Sequence, residues 1–275
     1  MFGLTLGIAT RIVSNSYLNV FQKVLNNRGE YPSIINFYTY LGLTVIGFAI
    51  CPNPIFTSEI IKSFFIMGLL GALGNYFIIK ALRFGELSSL APINSYKPIV
   101  ALIIAFFMLK ETPNLNAILG ILLIIAGTFI LYPKKINYSK ACFYRFLALI
   151  FSGSEAVFIK KIILLSDIPS SFLYWTLASF IFTIIFVIFS KHKPVLQKSN
   201  LKYQLSLILM VFLMQYSTNF IFSKMNVAYA LAIFQLSTIL SVFLGANIFN
   251  EGNLLRKLLA SLIMVLGAVV LILFC

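Results

Sequence analysis

The sequence has few charged residues, and acidic ones are especially scarce. Only 10% of the 275 residues are charged, seven of them acidic and 21 basic, and His192 is the single histidine. With 60% hydrophobic residues, this composition does not fit an ordinary soluble domain of this length. The net charge of +14 is better explained by basic loops at membrane edges than by a nucleic-acid surface.

Signatures of metal, cofactor and catalytic sites are also missing. The three cysteines, Cys51, Cys142 and Cys275, form no CxxC pair and are odd in number, which favours neither a disulfide framework nor a zinc site. The sequence contains no Walker motif, no HExxH motif and no pair of intramembrane aspartates. We therefore expect no enzyme, no metal and no cofactor, and any transport would run on gradients rather than on ATP.

Long apolar runs are the main feature that is present. They are continuous rather than alternating, and they are too long for membrane strands of about ten residues. The predicted fold is an all-α integral membrane protein with ten transmembrane helices, at 2–25, 34–50, 61–82, 87–109, 115–132, 142–163, 172–190, 201–225, 228–249 and 254–274.

The two halves of the chain resemble each other, which indicates a duplication of about 138 residues. Glu111 precedes Gly127 by the same interval that separates Glu251 from Gly267. Further matches follow in one order: Tyr31-Pro-Ser with Ile168-Pro-Ser, Phe37-Tyr-Thr with Tyr174-Trp-Thr, Asn75 and Lys80 with Asn219 and Lys224, and Lys23 with Lys161, which sets Tyr17 opposite Glu155. We predict one repeat at 1–133, a basic linker at 134–141 and a second repeat at 142–275.

An odd number of spans per half makes the second half enter the membrane from the opposite side. The predicted architecture is therefore two inverted five-helix repeats, which is typical of secondary transporters. In such proteins the substrate site lies between the halves, near the middle of the membrane.

Three charged residues, Arg11, Lys97 and Glu155, fall well inside predicted helices, where an unpaired charge costs about 3 kcal/mol. Arg11 begins a polar stripe on helix one, continued by Asn15, Asn19 and Gln22, which faces either a cavity or a partner helix. Glu155 can bind a cationic group, carry a coupling proton, or neutralise Lys97 or Arg11.

A kink is predicted in helix four, where Lys97 precedes Pro98, because proline removes a backbone hydrogen bond and frees the carbonyl of Asn94. The second half has no proline at the equivalent place and offers Gln235, Ser237 and Thr238 instead. With aromatic residues that can stack on a ligand or surround a cation, the candidate cavity residues are Arg11, Asn15, Tyr17, Tyr38, Asn94, Tyr96, Lys97, Glu155, Trp175 and Gln235.

These motifs resemble the EamA-type transporters of the drug/metabolite transporter superfamily. The resemblance spans nearly the whole chain and rests on Pro98-Ile-Val, Leu109-Lys-Glu111 and Gly127 in half one, and on Phe249-Asn-Glu251 and Gly267 in half two. It implies ten helices, a central cavity, and transport of small metabolites without ATP. It also implies framework or gating roles for Pro98 and for Glu111 and Glu251, the two glutamates being placed at helix ends.

We therefore expect a multi-pass transporter in the bacterial inner membrane that moves a small polar or amphipathic metabolite, with export of amino-acid-like solutes as the first hypothesis. Uptake of an organic cation such as choline or S-adenosylmethionine is the second, and a flippase subunit or membrane enzyme for lipid-linked sugars is the third. Expected partners are membrane lipid, the solute and, through Glu155, a coupling proton or ion, but no nucleic acid.

The orientation of the chain in the membrane is indicated in two conflicting ways. Most Lys and Arg lie in loops after odd-numbered helices, so the positive-inside rule places both termini outside the cell. The family is usually described with both termini inside.

Overall fold

The structure, a computed structural model, describes residues 2–109, 115–131, 139–189, 195–225 and 227–273. Glu111 lies outside these residues. The described residues contain no β-strand. The helices are α1 (Phe2–Asn27), α2 (Pro32–Ile50), α3 (Ser58–Phe84), α4 (Leu87–Leu90), α5 (Lys97–Leu109), α6 (Leu115–Leu131), α7 (Lys140–Leu165), α8 (Ile168–Ile188), α9 (Leu201–Lys224), α10 (Val227–Ile233), α11 (Leu236–Phe249) and α12 (Leu254–Leu273). Short 3₁₀ helices occupy Pro92–Tyr96 and Lys198–Asn200.

The helices of the two halves make equivalent contacts. Counted in order, α1 to α6 of the first half correspond to α7 to α12 of the second. α1 packs against α9 and α3 packs against α7, so each contact is the counterpart of the other. α2 packs against its own counterpart α8, and α6 against α12. The helix contacts thus show the same duplication as the sequence.

Gly127 and Gly267 explain why α6 and α12 lie so close together. A Cβ atom on Gly267 would lie 2.7 Å from the carbonyl oxygen of Gly120 and 2.8 Å from the nitrogen of Ile124, both on α6. A Cβ atom on Gly127 would meet Ala260 and Met264 of α12. Since small residues let helix backbones approach in membranes, these glycines hold the two halves together.

Replacing Gly267 with alanine is expected to destabilise the protein by about 1–3 kcal/mol, because the added methyl group meets backbone atoms that cannot turn away. The measurement is the melting temperature of the detergent-purified protein. Gly3→Ala is the matched control, since a Cβ there has no atom within 4 Å. Equal melting temperatures for the two variants would contradict the close-packing explanation.

The helices predicted at 87–109 and 228–249 are both interrupted, which corrects the position of the predicted kink in the first and the prediction of a continuous helix in the second. In half one the break runs through the 3₁₀ helix Pro92–Tyr96, and the carbonyl of Asn94 accepts a hydrogen bond from the nitrogen of Lys97. Pro92, not Pro98, begins the break, and the Asn94 carbonyl is not free. In half two a turn at Phe234 and Gln235 separates α10 from α11 without any proline.

Within the described part of the chain, five segments are long and apolar enough to cross a membrane on length and composition alone. They are Pro32–Ile50, Ser58–Phe84, Ile168–Ile188, Lys198–Lys224 and Ala230–Phe249. α5 and α6 have only 13 and 17 residues. α1 and α7 are long enough, with 26 residues each, but they carry charged residues, among them Arg11 on α1 and Glu155 on α7. α7 also begins at Lys140, inside the predicted linker.

Candidate functional site

A polar cavity of about 100 Å³ lies between the two halves. Its walls come from α1, α2, α3, α7, α8 and α9, together with the breaks between α4 and α5 and between α10 and α11, where Asn94, Lys97 and Phe234 reach it. Both breaks therefore bring irregular backbone to the site, which membranes tolerate only inside protein or beside a cavity.

Arg11 of α1 is a buried cation of the cavity with one donor atom left unpaired in the described part of the chain. Its side chain is only 7% exposed, its Nε atom donates to Thr218 Oγ1 at 2.7 Å, and its guanidinium carbon lies 4.5 Å from the centre of the Phe234 ring. Its Nη1 atom is buried and has no hydrogen-bond partner among the described residues. Arg11 thus has donor capacity available for an anionic group.

Two further cations, Lys97 and Arg145, line the same cavity. Arg145 lies on α7, and its Nε atom donates to the carbonyl of Leu90 at 3.2 Å, beside the break between α4 and α5. Glu155 is the one carboxylate among the described lining residues. The cavity therefore has three basic side chains against one acidic side chain, which favours a ligand with a negatively charged group.

Glu155 is held on the α3 and α8 side of the cavity. Its Oε1 atom accepts a hydrogen bond from Trp175 Nε1. Trp175 packs edge-on against Tyr40, with ring centres 5.2 Å apart. A Cβ atom on Gly71 would collide with Glu155 Oε1, so the glycine of α3 leaves room for the carboxylate. This corner combines a carboxylate with aromatic rings and suits a ligand ammonium group.

The polar stripe of α1 contacts both the cavity and the neighbouring helices. Arg11, Asn15 and Asn19 line the cavity. Asn15 Nδ2 also donates to Ser237 Oγ at 2.8 Å, which ties α1 to the second half. Gln22 is fully buried and donates to Asn75 Oδ1 at 2.9 Å. The polar stripe of α1 therefore faces the cavity and also contacts partner helices.

Of the ten residues predicted for the cavity, six line it: Arg11, Asn15, Asn94, Lys97, Glu155 and Trp175. The other four do not. Tyr17 is 38% exposed on the outer surface, Tyr38 packs edge-on against Phe37, Tyr96 packs against Phe146, and Gln235 is 1% exposed with its Nε2 atom bonded to the Leu231 carbonyl. Aromatic or polar character alone did not indicate the direction of these side chains.

The contacts of Lys23 and Lys160 change the predicted correspondence between residues of the two halves. Lys23 Nζ donates to the carbonyls of Leu82 and Gly85 at the end of α3, and Lys160 Nζ donates to those of Phe222 and Met225 at the end of α9. Lys160, not Lys161, is therefore the counterpart of Lys23. This shift sets Leu18 opposite Glu155, so the carboxylate belongs to the second half alone.

Arg145, Asn75, Gln215 and Thr218 line the cavity but were not predicted as site residues. Arg145 lies in the first turn of the helix predicted at 142–163, next to the basic linker, where a basic residue is expected at a membrane edge. Helical spacing offered a signal, since Arg145, Ser152 and Glu155 recur at intervals that share one face of α7.

Glu251, in the loop after α11, accepts hydrogen bonds from the backbone at the start of α4. Its Oε1 and Oε2 atoms accept hydrogen bonds from the nitrogens of Leu87 and Ser88 at 2.8 and 2.7 Å. Lys257 donates to Ser88 Oγ at 2.7 Å and forms a 2.6 Å salt bridge with Glu86. Partial burial acts to raise the pKa of Glu86, but the bonds from Lys257 and Ser89 outweigh it and lower the pKa. We call the contacts of Glu251, Lys257, Glu86, Leu87 and Ser88 the inter-half latch.

A charged cavity enclosed by the apolar helices of two similar halves is typical of membrane transport proteins. The chain belongs to the EamA-like transporter family, whose sequence model matches residues 1–132 and 139–273. A protein of known crystal structure has the same fold, with a TM-score of 0.69 at 17% sequence identity over 99% of this chain and 97% of that one. A comparison with curated proteins finds no match.

Proposed function

We propose that the protein is a secondary transporter of small amino-acid-like solutes in the plasma membrane, and that it works as an exporter. Ten membrane segments form two inverted repeats in this proposal, at 1–133 and 142–275, joined by a short basic linker. The observation that supports it best is the cavity with Arg11, Lys97 and Arg145 lining it together with Glu155.

The charges match a zwitterion with a carboxylate at one end and an ammonium group at the other. The solute carboxylate pairs with Arg11, whose guanidinium fork suits two carboxylate oxygens. The solute ammonium group binds beside Glu155 and the rings of Trp175 and Tyr40. Since all these groups are buried, their attraction to a solute is stronger than it would be in water.

The excess of basic residues argues against the organic-cation hypothesis. Choline and S-adenosylmethionine carry permanent positive charge, and three cations in the same cavity would repel it. A lipid-linked sugar is also a poorer match, because its sugar and phosphate headgroup is larger than a cavity of about 100 Å³.

A thermal-shift screen of the detergent-purified protein tests the proposal, since a ligand that binds the folded state raises the melting temperature. The panel contains amino acids, amines, choline, S-adenosylmethionine, nucleobases and sugars. We expect stabilisation by one or more amino acids and by none of the other classes. Uptake and counterflow of the stabilising amino acid in proteoliposomes then test transport and its direction.

Glu155→Gln is the informative variant in this screen. It keeps the size of the side chain and an acceptor for Trp175, but it removes the charge that faces the solute ammonium group. We expect the amino-acid shift to disappear while the melting temperature without ligand stays near that of the wild type. Stabilisation by choline instead of amino acids, or an unchanged shift in Glu155→Gln, would contradict the proposed substrate class.

A further inference from the structure

A second cavity lies on the outer surface of the bundle, away from the transport site. It is a groove of about 520 Å³ between the start of α2, the last three turns of α3 and the end of α8. We call it the lateral groove. It is lined by Leu73, Phe77, Phe186, Tyr76, Lys80 and Arg83, among others, and it shares no lining residue with the central cavity.

The walls of the lateral groove are mainly hydrocarbon and aromatic. Tyr76 on α3 and Phe186 on α8 pack against each other in its wall, with ring centres 5.6 Å apart. At its loop end Phe84 and Phe189 are 54% and 83% exposed. A surface of this kind, next to helices that cross a membrane, suits an acyl chain rather than a water-soluble ligand.

Two cations stand at the loop end of the groove. Lys80 and Arg83 are three residues apart in the last turns of α3, so their side chains are neighbours on one face of the helix. Lys80 Nζ lies 4.4 Å from the Tyr144 ring centre, and the Arg83 guanidinium carbon lies 4.7 Å from that of Tyr31. Neither cation forms a salt bridge with a described residue.

No acidic side chain balances these charges in the described part of the groove. Glu30 is the nearest acidic residue in sequence to Tyr31, but it is only 3% exposed. It accepts hydrogen bonds from the nitrogen of Gln197 at 3.1 Å and from Asn200 Nδ2 at 2.8 Å. The groove therefore combines an uncompensated positive end at the membrane edge with an apolar wall that runs into the membrane.

We propose that the lateral groove binds one anionic phospholipid. Its phosphate contacts Lys80 and Arg83, and one acyl chain lies along Leu73, Tyr76 and Phe186. Basic pockets beside apolar surface between membrane helices recognise anionic headgroups in this way, by combining charge attraction with burial of the chain. This inference concerns a different surface from the transport site and does not depend on the identity of the solute.

Native mass spectrometry of the full-length protein tests the proposal, after addition of dioleoylphosphatidylglycerol or dioleoylphosphatidylcholine to the detergent-purified protein. We expect one phosphatidylglycerol molecule to remain bound, with an affinity about tenfold or more above that of phosphatidylcholine. In Lys80→Gln/Arg83→Gln this preference should disappear. The single variants should each lose about fivefold.

Two controls separate the site from general charge effects. Lys202→Gln removes an exposed lysine at the same end of the molecule, whose Nζ lies 4.9 Å from the Tyr203 ring outside the groove, and it should keep the preference. The charge-preserving variant Lys80→Arg/Arg83→Lys should also keep it. The melting temperature in phosphatidylcholine alone reports whether each variant is folded.

Three results would overturn the proposal. The first is equal binding of the two lipids by the wild type, which needs no variant to be folded. The second is an undiminished phosphatidylglycerol preference in the folded double variant. The third is stabilisation by glycerol 3-phosphate as large as that by phosphatidylglycerol, which would mean that the groove takes a soluble phosphate and not a lipid.

Discussion

Replacing Arg11 with methionine is expected to weaken binding of the stabilising amino acid by about tenfold to hundredfold, because a hydrogen bond to a charged group contributes about 1.5–3 kcal/mol. Methionine has a similar length and no charge, so it packs against Phe234 but offers no donor. The measurement is isothermal titration of the purified variant with that amino acid, together with its uptake into proteoliposomes.

Arg28→Met is the matched control for this experiment. Arg28 also lies over an aromatic ring, with its guanidinium carbon 4.4 Å from the centre of Tyr203, but it is exposed and does not line the cavity. Its variant should bind and transport like the wild type. Arg11→Lys should fall between the two, since lysine keeps the charge but loses the planar fork. Wild-type affinity in a folded Arg11→Met would mean that the anionic end of the solute binds elsewhere.

Replacing Glu251 with alanine should destabilise the protein by roughly 3–5 kcal/mol, the largest change we expect from a single substitution in the inter-half latch. Glu251 is 9% exposed and satisfies the buried nitrogens of Leu87 and Ser88. Alanine leaves both donors without their acceptor. The melting temperature and the urea midpoint of the detergent-purified protein measure the loss.

Two comparisons test the origin of this effect. Glu86→Ala removes the other carboxylate of the latch, but that side chain is 53% exposed, so the loss should stay below about 1 kcal/mol. Glu251→Gln should be intermediate, because the amide keeps one acceptor oxygen for two donors. Similar losses in Glu251→Ala and Glu86→Ala would show that the carboxylate does not act by satisfying the backbone of α4.

The class of the protein and its two-part construction could be predicted from the sequence because both depend on local properties. A strongly apolar chain with few charges belongs in a bilayer whatever its tertiary contacts. The intervals from Glu111 to Gly127 and from Glu251 to Gly267 reveal the duplication without a structure. The intramembrane positions of Arg11, Lys97 and Glu155 were also recognisable, since a charge inside an apolar run needs a polar surrounding.

The exact pairing of the repeats was harder to predict, because neighbouring lysines in a helix look alike in sequence. Lys161 with the two isoleucines after it gives the match to Lys23-Val-Leu in sequence, and only the carbonyls at the end of α9 indicate Lys160 instead. The break in the first half was predicted at Pro98, but it begins at Pro92. The turn at Phe234 and Gln235 was not predicted, because it contains no proline to signal it.

A membrane protein of two similar halves, with Arg11, Lys97 and Glu155 inside its helices, therefore follows from the residue pattern alone. Which side chains meet depends on the tertiary structure. It brings Arg145 to the cavity, leaves Tyr17 on the outer surface and pairs Glu251 with the start of α4. The free-energy cost of a charge in an apolar segment depends on that segment alone, so it can be recognised in the sequence. The direction of a side chain depends on its contacts with helices that are distant in the chain.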